Sequence, residues 1–313
     1  MRMALVAVAL WAAGCVGTVY DMGTGQEVRT SPHDHAAGSQ TTGTNGTISI
    51  PSLTDAGSPD ASVRDAGKSP KDSGTVVPSD AGHVTPYDAG PPPPATPVGC
   101  LSILPLGDSI TLGVNGGYRN ELFKSLKAGG CSVNYVGSQK DQYTEIADKD
   151  HEGHPGYTIG DIDGEVNGWL TSYAPNTVLL MVGTNDIAWW SAATAQEIGA
   201  DHAALVDKII AKRPNAWVVV ASIAPITSQK IAPNNVDRAQ LGKALNAVIA
   251  SNVAARVAQG KKVRFADVHA ALTTADLYDG VHPTQAAHAK VAAAFYAALS
   301  PVVACTTVTA CGP

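Results

Sequence analysis

From residue 101 to residue 299, short apolar runs alternate with stretches of helical periodicity. No other feature constrains the fold as much. The runs are "LSILPL" from Leu101, "SVNYVGS" from Ser132, "TVLLMVG" from Thr177, "AWVVVASI" from Ala216 and "KVRFADV" from Lys262. Between them, residues 118–127 read as a helix, and Ile159, Ile162, Val166, Trp169 and Leu170 recur at helical spacing. Thr194 and Glu197 form a capping-box pattern before a helix that reaches about Lys212. A long helix stops near Gly260, and a last one runs from Thr284 to Leu299, ended by Pro301. Five apolar strands alternating with helices predict a five-stranded parallel sheet with both faces covered, an α/β fold of three layers. Sites in such sheets form at the carboxyl ends of the strands.

The chain before that region is different. Residues 1–15 hold Arg2, then an apolar run from Met3 to Ala13 that is too short to span a bilayer but fits a signal-peptide core. Ala12-Ala13-Gly14-Cys15 resembles a bacterial lipobox, with Ala12 where a larger aliphatic residue is usual, and makes Cys15 a lipidation candidate. Ordinary secretion with cleavage nearby is the other reading. Residues 16–98 show no sustained apolar periodicity; Asp-Ala-Gly recurs at Asp55, Asp65, Asp80 and Asp88, and Pro91–Pro94 close the segment. The repeats are too irregularly spaced for a calcium-binding array. Such a stretch cannot offset its chain entropy, so it is expected to be disordered, a tether spanning on the order of 50 Å. The expected organisation is therefore a leader over 1–15, a linker over 16–98, a folded domain over 99–302 and a tail over 303–313. A net charge of −6 with 15% charged residues gives no ground for a nucleic-acid partner. Export also fits the cysteines: with Cys15 set aside, Cys100, Cys131, Cys305 and Cys311 allow two disulfides in three pairings.

The strand ends carry the chemistry. The first run leads into Gly107-Asp108-Ser109, the third into Gly183-Thr184-Asn185-Asp186, and the second is followed by a loop containing "HEGHPGYTIGD". The last is followed by Asp279-Gly280-Val281-His282-Pro283. All four clusters fall at one end of the predicted sheet. A serine hydroxyl needs a base, and His282 is the candidate base for Ser109. Asp279, three residues earlier, can orient the imidazole, although a backbone carbonyl can serve instead. Oxyanion donors are available from the Ser109 N–H, a glycine N–H of the "HEGHPG" loop and the Asn185 amide. Asp108 and Asp186 are expected to hold their loops by side-chain to backbone bonds. His151 and His154 lack the spacing of a helical zinc pair, and neither a metal nor a cofactor is expected. Trp189 and Trp190 are candidates for stacking on a sugar ring, with His154 a further substrate contact. Tyr118 and Arg119 are expected to fix the first helix against the site loops.

"GDSIT", the glycine-bearing loop, "GTND" and "DGVHP" together resemble the four blocks of the SGNH, or GDSL-type, hydrolases over residues 101–299. The resemblance implies an α/β/α sandwich with Ser109, His282 and Asp279 as triad and Ser109, Gly156 and Asn185 as oxyanion hole. Gly156 is preferred to Gly153 because "GYTI" runs into a predicted helix. "LPLGDSIT", "GGYRNEL", "NYVGS" and "DHEGHPGYTI" are similar to carbohydrate esterase family 3, the acetylxylan esterases. That implies removal of O-acetyl groups from a polysaccharide such as xylan. The family's sheet makes the first two strands parallel neighbours, which implies a Cys100–Cys131 bridge and, with it, Cys305–Cys311. The expectation is an exported monomer at the cell surface or in the periplasm, touching membrane only through a lipid anchor. The alternatives are a broader esterase or lysophospholipase and a non-catalytic carbohydrate-binding lipoprotein.

Overall fold

Leu101–Gly107 (β1) is the axis around which the chain is arranged. The computed structural model describes residues 96–305 apart from 115 and 141–143, together with an antiparallel pair of two-residue strands, Val19–Tyr20 and Glu27–Val28. The leader, Cys15, Cys311 and the rest of the linker lie outside the described residues. After β1 come helix α1 (Ser109–Leu112), helix α2 (Arg119–Ala128), β2 (Val133–Tyr135), β3 (Asp150–Gly153) and helix α3 (Ile159–Tyr173). Then follow β4 (Thr177–Met181), α4 (Asn185–Ala188), α5 (Ala195–Lys212) and β5 (Trp217–Ala221). The order closes with α6 (Arg238–Ala258), β6 (Val263–Ala266), α7 (Val268–Ala271) and α8 (Gln285–Leu299).

The sheet runs β6-β5-β4-β1, all parallel, and the far side of β1 is shared by two strands. β2 pairs with its first half, Leu101 opposite Val133, and β3 with its second, Gly107 opposite Gly153. The expectation of five strands therefore becomes six in parallel, plus a short antiparallel edge, Gln139–Lys140, on β3. "SVNYVGS" contributes only three strand residues, and the stretch read as a polar loop supplies the missing one.

Strand side chains alternate between two cores, as a sheet covered on both faces requires. Leu104, Leu106, Val178, Leu180, Val218 and Val220 face α3, α5 and α6, while Ile103, Leu179, Met181 and Val219 face α2 and α8. The three-layer α/β/α class holds. Thr194 and Glu197 make the capping box that their spacing predicts, and Thr284 caps α8.

Two boundaries move. Thr96–Val98, placed in the linker from sequence, pairs in parallel with Val303–Cys305, placed in the tail. That pairing also decides the disulfides. Cys131 is bonded to Cys305, with Cα atoms 4.8 Å apart, so neither expected bridge exists. The strand order behind the expectation was right, since β1 and β2 are parallel neighbours. What it left out was the terminal strand, which carries Cys305 to the same edge. Cys100 is also disulfide-bonded.

Candidate active site

β1 ends at Gly107, which has room for no side chain: a Cβ there would lie 2.1 Å from the Met181 carbonyl oxygen of β4. Asp108 follows, fully buried, and caps α1 by accepting the Ile110 N–H at 2.9 Å. Ser109 is thereby set at the first position of α1, directly at the carboxyl end of the sheet's central strand. The buried Arg119 secures the other end of α1. It donates to the carbonyls of Thr111 (3.2 Å) and Leu112 (3.0 Å), and to that of Lys149 (3.2 Å) just before β3. This is the role the sequence suggested for Arg119.

Ser109 Oγ lies 2.8 Å from Nε2 of His282. On the far side of the ring, Nδ1 lies 2.7 Å from Oδ2 of Asp279. The other Asp279 oxygen accepts the N–H groups of His282 (2.8 Å) and Val281 (3.0 Å). Burial pushes this carboxyl up, but the bonds from the His282 N–H, the His282 ring and the Val281 N–H outweigh it and hold Asp279 below the usual carboxylate value. Asp279 stays ionised, and the turn that carries it is the turn that carries the histidine. The structure thus shows a carboxylate, not a backbone carbonyl, at Nδ1.

Asn185 opens α4. Its Nδ2 donates to the Tyr157 carbonyl at 2.9 Å, leaving a second amide hydrogen free of that bond. Tyr157 directly follows Gly156, so the asparagine stands against the Gly156 turn. Gly156 has φ +82° and is exposed, in a turn closed by Tyr157 N–H to the His154 carbonyl at 3.2 Å. Gly153 is unavailable as a donor: its N–H is given to His151 Nδ1 at 2.9 Å, and a Cβ there would strike the Leu112 backbone. Asp186 accepts the Ile159 N–H and ties α4 to α3. Burial pushes the carboxyls of both Asp108 and Asp186 up to about 6, against the backbone bonds each accepts.

His154 is placed as a support. Its ring stacks on Tyr157 (centroids 4.6 Å) and Trp169 (4.9 Å), and Nε2 meets the buried Glu152 at 2.8 Å. A ring engaged in this way has little face left for a sugar. Trp189 follows α4 and is 58% exposed. Of Trp190 only the backbone is described, pairing with Ala232. Among the described residues no group of three or more His, Cys, Asp or Glu is placed to hold a metal ion. Sequence reasoning missed Arg238. It donates to the carbonyls of Ala188 (2.9 Å) and Thr227 (2.8 Å), and Thr227 N–H in turn donates to the Gly280 carbonyl at 2.9 Å. Arg238 thus joins the Asn185 helix to the Asp279–His282 turn.

A hydroxyl, an imidazole and a carboxylate in one hydrogen-bonded line at the carboxyl end of a parallel sheet make a site of serine-hydrolase type. Residues 106–290 match the model of the GDSL-like lipase/acylhydrolase family, and the chain belongs to that family. It is similar to a multidomain esterase of Ruminococcus flavefaciens, 30% identical over 220 residues, which are 62% of this chain and 28% of the relative. A putative endoglucanase X of Acetivibrio thermocellus is 28% identical over 142 residues, 44% of this chain and 56% of the relative. The chain thus spans only part of the length of these relatives. Among solved structures it is similar to the family 3 carbohydrate esterase of Clostridium thermocellum, with 31% identity and TM-score 0.52, covering 64% of this chain and 94% of that one. A carbohydrate esterase family 3 protein of Talaromyces cellulolyticus gives 26% identity, TM-score 0.53 and coverage of 62% and 93%.

Proposed function

We propose that the protein is a serine esterase that removes O-acetyl groups from a polysaccharide such as acetylated xylan. The unbroken line Ser109–His282–Asp279, together with the bond that ties Asn185 to the residue after Gly156, supports this reading. The substrate is carried by likeness to carbohydrate esterases of family 3.

In this mechanism His282 Nε2 takes the Ser109 proton as Oγ bonds to the acetyl carbon. Asp279 stabilises the imidazolium and keeps Nδ1 protonated. Negative charge forms on the carbonyl oxygen, within reach of the N–H groups of Ser109 and Gly156 and the free Asn185 amide hydrogen. The carbon–oxygen bond to the sugar breaks, and His282 returns its proton to the sugar oxygen. Water then attacks the acetyl-enzyme with His282 again as base, and acetate leaves with Ser109 restored.

The lipid anchor at Cys15 and the tether over residues 16–98 belong to the same proposal, as does a position outside the cytoplasm. Acetate release from acetylated xylan by the full chain tests the reading. The wild type should release acetate, and Ser109→Ala should abolish release while keeping the native circular dichroism spectrum. Substantial activity in Ser109→Ala would overturn the nucleophile. Faster turnover of long acyl esters than of acetyl esters would favour a broader lipase-type specificity.

A further inference from the structure

Two large apolar side chains stand out in solvent among the described residues, Trp189 and Tyr278, at 58% and 66% exposure. Neither is scattered at random over the surface. Trp189 immediately follows α4, the helix opened by Asn185, and Tyr278 immediately precedes Asp279. They therefore border two of the segments that carry site residues. An exposed aromatic normally loses its place through rotamer freedom, but Trp189 is held from below. The Arg238 guanidinium carbon lies 5.4 Å from the indole centroid, a cation–π contact. Arg238 itself is 4% exposed and is fixed by bonds to the Ala188 carbonyl, the Thr227 carbonyl and Thr227 Oγ1 at 2.8–2.9 Å. The backbone next to the ring is fixed as well, because Trp190–Ser191 pairs with Ala232–Pro233. One indole face is backed by a cation and the ring remains mostly in water.

We propose that Trp189, held by Arg238, is a platform on which a pyranose ring of the acetylated polysaccharide stacks beside the reacting ester. This rests on the deacetylase reading above and adds the residue that grips the sugar. The axial C–H face of a pyranose is apolar and matches the negative face of an indole. A ring already immobilised loses little freedom when it binds, so the contact is spent on affinity and orientation. The occupant is neutral and polyhydroxylated, and the open indole face presents it with no unpaired charge.

The test compares an acetylated xylooligosaccharide with ethyl acetate, whose alcohol is too short to lie on the indole. Trp189→Ala should lower kcat/KM on the oligosaccharide about three- to tenfold more than on ethyl acetate, mostly through KM, the scale of one stacked ring. Trp189→Phe should restore most of the difference. In a Ser109→Ala background, calorimetry with deacetylated xylooligosaccharide should show weaker binding by a similar factor on adding Trp189→Ala. Equal losses on both esters, or none on the oligosaccharide, would overturn the platform. If the wild type releases acetate while KM and binding ignore Trp189, the platform fails and the deacetylase reading stands. If no acetate is released yet oligosaccharide binding depends on Trp189, the deacetylase reading fails and the platform stands.

Discussion

Asn185 shows how much one side chain is asked to do. One amide hydrogen is given to the Tyr157 carbonyl, which fixes the side chain, and the other is the one that the proposed mechanism assigns to the developing oxyanion. Asn185→Ala should lower kcat roughly 10²–10³-fold, the effect of losing one such donor, with little change in KM. A steady-state comparison on an acetyl ester checks this, and a change confined to KM would assign Asn185 to binding instead. Gly280 is a second case. Its φ is +87°, and a Cβ there would lie 2.5 Å from Thr227 Oγ1. Gly280→Ala must either adopt a left-handed backbone, costing roughly 1–2 kcal/mol, or push the Asp279–His282 turn away from Thr227. Both stability and kcat should fall, measured by urea unfolding and by acetate release. At this scale the sequence was highly legible, because Ser109, Asn185, Asp279 and His282 sit in short runs whose chemistry is local. Arg238 was not, since its partners Thr227 and Ala188 lie 11 and 50 residues away in sequence.

At the scale of elements, the buried strands announced themselves where both faces are apolar, as in β4 and β5. β3 did not, because Asp150-His151-Glu152-Gly153 reads as solvent-exposed loop. Glu152 is fully buried all the same, and its cost is offset by bonds from the Ser138 N–H, the Ser138 hydroxyl and His154. Those partners come from another segment and a neighbouring turn, so composition alone could not reveal them. The terminal strand escaped for a similar reason: Val303–Cys305 is short and gains its place only by pairing with Thr96–Val98. Its disulfide to Cys131 closes a separation of 174 residues. Chain entropy then suggests a contribution of about 2–5 kcal/mol. Cys131→Ala with Cys305→Ala should lose about that much in denaturant unfolding. The bridge lies at the amino ends of the strands and the site at their carboxyl ends, so kcat at 25 °C should stay within about twofold. A collapse of kcat in a still-folded double variant would contradict that separation.

At the scale of the whole molecule, buried titratable groups of opposite behaviour share one fold. Burial, the largest cause in each case, raises Asp108 and Asp186 to about 6 and lowers His151 to about 3 and His202 to about 4. The signs oppose. A carboxyl raised in the folded state holds a proton that the unfolded chain releases, so between about pH 4 and 6 it makes stability fall as pH rises. A histidine lowered in the folded state refuses a proton that the unfolded chain accepts, so from its folded value up to about 6.5 it makes stability rise with pH. Near pH 5 the two carboxyls bind about two protons only when folded, and the two histidines about two only when unfolded. These four slopes oppose one another near pH 5, while His269 and His288, lowered by burial, add to the rise and Asp148, raised by burial, adds to the fall. Below pH 4 Asp279, held low by its His282 and Val281 bonds, is forced to take up a proton, and stability falls. Asp108→Asn isolates one of these contributions. The amide oxygen can still accept the Ile110 N–H, so the cap survives while one raised carboxyl is gone. Relative to the wild type, the slope of this variant's stability with pH across about 4.5–6, measured by urea unfolding, should rise by roughly 1 kcal/mol per pH unit, for the one proton removed. A variant whose slope matches that of the wild type over that range would show that Asp108 does not hold its proton near pH 5 in the folded protein.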